Sequence, residues 1–234
     1  MALIKGGDYT PLYGRDSAIV EVDDFNIDIY PVTNNEFRTF LKEYPKWKKE
    51  NVIALFADDA YLTQFTPTLS LKEGYSENGP VVSISWFAAK NYCECQGKRL
   101  PTLNEWEYVG MADENAADAR EKDEYNQFIL SWYEKPTPKI RVVGSTFENY
   151  WGVYDMHGLV WEWTADFNSV MISGESRRDN TENNSLFCSG AAIGSNDLMN
   201  YAAFMRYAFR GSVKAKYSIK NLGFRCAKDI EENQ

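Results

Sequence analysis

From Val142 onward the sequence keeps no helical period: short apolar runs alternate with Gly, Asn, Ser and Asp, which predicts short strands joined by long loops rather than helices. Helix signals concentrate upstream. Thr33-Asn34-Asn35-Glu36 is a capping box, in which hydroxyl and carboxylate satisfy free amides at a helix start, and it sets Phe37, Phe40 and Leu41 on one face. Ser85 can cap a second helix with Trp86, Ala89 and Cys93 inward, ending at Gly97. Thr102-Leu103-Asn104-Glu105 opens a third, with Trp106, Val109 and Met111 inward and Glu105 and Glu107 near the positive end of the helix dipole. Phe25, Ile27 and Ile29 alternate with polar neighbours before Pro31, as a half-buried strand does. Few helices, short strands and much irregular backbone predict an α+β domain.

No linker-like stretch divides the 234 residues, and 44% hydrophobic with 15% aromatic content is enough for one core, so residues 1–234 read as a single domain. A net charge of -9 opposes nucleic acid and anionic membranes as partners. No apolar run approaches the ~20 residues of a membrane span. One histidine, His157, excludes a several-histidine iron centre and gives no basis for a Ser/His/Asp triad; a turn-stabilising role is expected for it. Glycine-rich phosphate loops are absent from the sequence. Arg206, Arg210 and Arg225, with Tyr201, Phe204, Tyr207 and Phe209, have the composition of a binding surface for a peptide or protein ligand; the alternative is an aromatic core with arginines bridging loops. Four cysteines (Cys93, Cys95, Cys188, Cys226) do not by spacing alone separate disulfides from thiols or metal ligands. Asp155 and Glu162 flank a Gly-containing turn of the oxygen-rich kind that suits calcium; the alternative is that Glu162 pairs with an arginine or with backbone amides.

Three segments carry a family resemblance: Gly97-Lys98-Arg99-Leu100-Pro101-Thr102-Leu103-Asn104-Glu105-Trp106-Glu107-Tyr108, Tyr154-Asp155-Met156-His157-Gly158-Leu159-Val160-Trp161-Glu162-Trp163 and Asn221-Leu222-Gly223-Phe224-Arg225-Cys226-Ala227. Together they resemble the formylglycine-generating enzyme family, also called the sulfatase-modifying factor family, nearly end to end. The resemblance implies a C-type lectin-like fold with little regular secondary structure, and a disulfide between Cys93 and Cys226. Such a bridge implies an oxidising compartment, hence a bacterial periplasmic or extracellular protein whose signal peptide lies outside this sequence, with a cytoplasmic protein as the alternative. It further implies a structural calcium held by side chains of Asp155 and Glu162 and carbonyls of Gly158 and Val160; Leu159, where Asn is common, departs from the pattern. Trp161 matches a position that lines the pocket of catalytic members.

Those members hold Cu(I) with two cysteines in the loop after a Gly-Gly-Ser-Tyr-like strand and oxidise a substrate cysteine to formylglycine, soft thiolates being what Cu(I) selects. Here that strand is Cys188-Ser189-Gly190-Ala191-Ala192, with Ala191 in place of the serine, and loop 193–202 contains no cysteine. The oxidase reaction is therefore not expected. Cys95 and Cys188 leave three readings: a second disulfide, a copper-type site completed by Met156, Met171 or Met199, or inert thiols. Three functions follow in turn: a non-oxidase binding or accessory protein, an oxidoreductase with altered metal chemistry, or a lectin-like ligand-binding module.

Overall fold

The computed structural model describes residues 1–12, 18–134, 142–169 and 198–230. In chain order the elements are β1 (Ala2–Ile4), β2 (Gly7–Tyr9), β3 (Val20–Val22), β4 (Phe25–Ile27), α1 (Asn34–Glu43), α2 (Trp86–Cys95), α3 (Leu103–Gly110), α4 (Asp123–Glu134), β5 (Trp161–Glu162), α5 (Leu198–Ser212), β6 (Leu222–Gly223) and β7 (Ala227–Asp229). Antiparallel β1-β4-β7 joins the first and last strands through Ala2↔Ile27 and Ile27↔Ala227, while β2 pairs β3 antiparallel and β5 pairs β6 in parallel. The alternation expected at Phe25 and Ile27 is present, both side chains being fully buried, and the pairing runs on past β4 because Asp28 N donates to Cys226 O at 2.8 Å.

Both capping boxes form. Glu36 N donates to Thr33 Oγ1 at 3.3 Å and Glu105 N to Thr102 Oγ1 at 3.2 Å, each glutamate returning its carboxylate to the cap amide. Ser85 Oγ accepts from Ala88 N at 3.3 Å, and α2 closes with Gly97 at φ +66°, where Lys98 N reaches Cys93 O and Gly97 N reaches Glu94 O. That left-handed residue is one that glycine adopts without steric cost. Phe37, Phe40 and Leu41 of α1 enter the main core, where Phe37, Tyr92 and Phe224 meet at ring separations of 5.4–6.1 Å.

One expectation is refined and one corrected. The fully buried face of α2 is Ala88, Ala89, Tyr92 and Cys93, while Trp86 packs half-buried at the edge of the main core, its Nε1 donating to Thr164 O at 2.9 Å and Lys90 Nζ lying 5.1 Å from its ring centre. The stretch after Val142 is not free of helix, since α5 runs fifteen residues. Its buried positions, Ala202, Ala203, Arg206, Tyr207 and Arg210, repeat at helical spacing, but two of them are arginines, so the apolar period is broken where the helix faces inward. Among the described residues no helix is long and apolar enough to cross a membrane.

Candidate functional site

Helices α3 and α5 meet through a buried ion cluster. Glu107, on the inner side of α3, takes Arg206 Nε at 3.0 Å on each oxygen, Arg206 Nη2 at 2.7 Å and Arg210 Nη1 at 2.7 Å. Burial alone would raise the Glu107 carboxyl, but the Arg206 and Arg210 charges outweigh it and hold it at about 2. The Arg210 guanidinium also lies 4.6 Å from the centre of the Trp106 ring, whose Nε1 donates to Glu162 Oε2 at 2.8 Å. Glu162 in turn is bound by Arg225, with Nη2 to Oε1 at 2.8 Å. One indole therefore links two ion clusters, and all three arginines of the sequence-predicted binding surface point into the protein.

Trp161, from β5, is enclosed by the chain's own rings. Phe209 of α5 stacks on it at 4.5 Å and 17°, Tyr133 of α4 at 5.0 Å and 12°, and Trp132 lies 5.2 Å away. Trp161 thus lies against the helix that carries Arg206 and Arg210, with its ring faces covered. Ala191 and Cys188 lie outside the described residues.

The residues assigned to calcium do not fit that ion. Asp155, fully buried at φ +61°, accepts from Thr146 N at 3.0 Å, Thr146 Oγ1 at 2.9 Å and Gly144 N, so both its oxygens bind donors from residues 144–146. Both Glu162 oxygens are engaged by Arg225, and one also by Trp106. Gly158 carries the turn at φ +93°, and Leu159 and Val160 pack with Val82 in a small apolar cluster. No group of three or more His, Cys, Asp or Glu side chains suited to a metal occurs among the described residues.

The disulfide that the resemblance implies is present: Cys93 and Cys226 are bonded, with Cα atoms 5.6 Å apart. Cys95 is a free, half-buried thiol beside the Tyr44 hydroxyl. It packs against the main core, whereas Met156 belongs to the cluster around β1–β4 and α3, so these two of the proposed soft-metal ligands are not brought together.

His157 is buried, with Nε2 donating to Gly110 O at 2.7 Å and its ring edge-on to Trp106 and Tyr125 at 5.6 and 6.0 Å. Burial first, and then the Arg206 charge, lower its pKa to about 3. A base depressed in the folded state stabilises fully above its unfolded value, near 6.5, and this contribution is lost as pH falls toward 3. We therefore expect unfolding free energy to decline by up to about 1.4 kcal/mol per pH unit between pH 6 and 4. His157→Gln should flatten the slope of urea midpoint against pH; an unchanged slope would refute the assignment.

Two hollows lie among the described residues. A cavity of about 10 Å³ beside Tyr9, Glu107, Arg206 and Tyr207 admits little more than one water-sized group. A groove of about 180 Å³ runs along Trp86, Lys90, Glu94, Arg99 and Leu100, below the usual size of an enclosing cofactor pocket.

Over residues 1–230 the sequence matches the sulfatase-modifying factor enzyme 1-like domain. The chain belongs to the sulfatase-modifying factor family. Similarity extends to serine/threonine-protein kinase pkn1 of Chlamydia pneumoniae, 30% identical over 177 residues that make up 71% of this chain and 28% of that protein. The chain thus spans about a quarter of the length of that relative and of its counterparts in other Chlamydia species. The inactive C-alpha-formylglycine-generating enzyme 2 of Bos taurus is 28% identical over 254 residues, 89% of this chain and 78% of that one. Among solved structures, PvdO from Pseudomonas aeruginosa aligns with a TM-score of 0.51 and 18% identity, covering 97% of this chain and 93% of that chain. That likeness is one of fold: the sulfatase-modifying factor type of α+β domain, with modest regular secondary structure, as the sequence predicts.

The residue that sequence reasoning missed is Glu107. Read from the sequence it suits a helix dipole; its true partners lie 99 and 103 positions away. The one available signal was that two arginines spaced four apart, Arg206 and Arg210, lie in an otherwise aromatic stretch.

Proposed function

We propose that this chain is a non-oxidase member of the sulfatase-modifying factor family, a binding or accessory protein that keeps the family scaffold and recognises a peptide or protein ligand. One observation carries the reading: loop 193–202 has no cysteine, so the thiolate pair that Cu(I) chemistry requires is missing from the sequence. Of the two cysteines outside the disulfide, Cys95 sits on α2 against the main core, which is no substitute for a loop pair. Similarity to a relative named as an inactive formylglycine-generating enzyme supports the same reading. His157 Nδ1 is buried without a partner, which leaves hydrogen-bonding capacity beside Trp106 and Tyr125 for a polar group. The disulfide favours an oxidising compartment, and so an exported protein.

Incubation of the copper-loaded protein with a cysteine peptide substrate of the oxidases, in air, tests this. Mass spectrometry should find the cysteine unchanged and the protein without stoichiometric copper. Aldehyde formation, or one copper per chain lost in Cys188→Ala, would replace the proposal with an oxidoreductase of altered metal chemistry.

A further inference from the structure

Arg225 is fully buried, and each N–H of its guanidinium meets an oxygen. Nε donates to Glu162 Oε1 and Oε2 at 3.0 and 2.9 Å, and Nη2 to Glu162 Oε1 and to the Tyr154 carbonyl, both at 2.8 Å. Nη1 donates to the carbonyls of Asp28 and Ile29 at 3.2 Å each. Five oxygens from three separate stretches, one carboxylate and three carbonyls, thus surround a single positive charge. This is the kind of donor set that calcium takes, but a calcium–oxygen bond is roughly 2.3–2.6 Å, and the spacing here is that of N–H···O bonds to a planar fork.

We propose that the Arg225 guanidinium is the resident cation of the 154–163 turn, so that the turn, and the setting of Trp161 within it, needs no calcium. The surroundings agree. Glu162 has its charge cancelled and its oxygens engaged, while Asp155, the other acidic ligand the resemblance assigns, is committed to the amides and hydroxyl of residues 144–146. A divalent ion entering at Gly158 and Val160 would find neutral carbonyls and, past Glu162, a fixed positive charge that repels it. Arginine suits the role because its charge does not titrate and its five donors hold a fixed geometry. The same residue joins the stretch just after β4, the turn and β5, a task otherwise given to a metal bridging distant segments.

Thermal unfolding of the wild-type protein, stripped with EDTA and then supplied with millimolar calcium, tests the proposal. The expected Tm is the same within about 1 °C in both conditions. An ion bound at a hundred times its dissociation constant would raise Tm by roughly 5–10 °C in a chain of this size, and such a rise would overturn the proposal. Arg225→Lys keeps the charge but replaces the five-donor fork with a point charge. We expect it to lower Tm by at least about 5 °C, or to prevent accumulation of folded protein, with or without calcium. A Tm equal to the parent's would show that the cage does not depend on the guanidinium, again overturning the proposal.

Discussion

Glu107→Ala is expected to cost about 3–5 kcal/mol, enough to leave much of the protein unfolded if total stability lies in the usual range of about 5–15 kcal/mol. The loss arises less from the missing bonds than from what stays behind. Arg206 and Arg210 are both buried, and without the carboxylate their charges face each other with no counter-ion between them. Removing all three charges in a Glu107→Leu, Arg206→Met, Arg210→Met variant should recover most of the stability, because replacing a buried ion cluster by apolar groups of similar volume is often neutral or better. Urea midpoints followed by tryptophan fluorescence measure both effects, and a single variant within about 0.5 kcal/mol of the parent would contradict the account.

Cys93→Ser with Cys226→Ser should lower stability by about 3–5 kcal/mol, or Tm by roughly 10 °C. The bond closes 133 residues of sequence separation, which in the chain-entropy account is near the upper end of what a disulfide contributes. Both sulfurs belong to residues with no exposed surface, so reductant added to native protein should act only as fast as the structure opens, whereas the double variant shows the full effect at once. Calorimetry with and without reductant separates these cases. A double variant that melts with the parent would mean that packing of α2 against the C-terminal stretch suffices without the bond.

The parts of the fold that sequence discloses are those set by neighbours in the chain. The Thr33–Glu36 and Thr102–Glu105 boxes act over three residues, and both helices start where those boxes place them. Helix α5 was hidden because its inward face carries Arg206 and Arg210, and a period read from apolar residues treats those positions as solvent-facing. At the site the same rule holds. Trp161 could be singled out by its motif, yet the rings covering it, Tyr133 and Phe209, come from helices with no such motif. The Cys93–Cys226 pairing was legible only through family resemblance, since four cysteines allow several pairings and their spacing favours none.

Residues 222–229 supply a strand to each of two sheets, the guanidinium that neutralises Glu162, and half of the disulfide. During synthesis these residues are made after every strand, carboxylate and cysteine that they complete. Until they emerge, β4 lacks one neighbour, β5 lacks its partner and Glu162 lacks its cation, so the emerging chain must wait unclosed rather than fold as it grows. A product cut short before Leu222 would therefore present two open strand edges and an unpaired internal carboxylate, the features by which proteases and chaperones tell unfinished chains from finished ones. Closure of this domain thus depends on translation having passed residues 222–229.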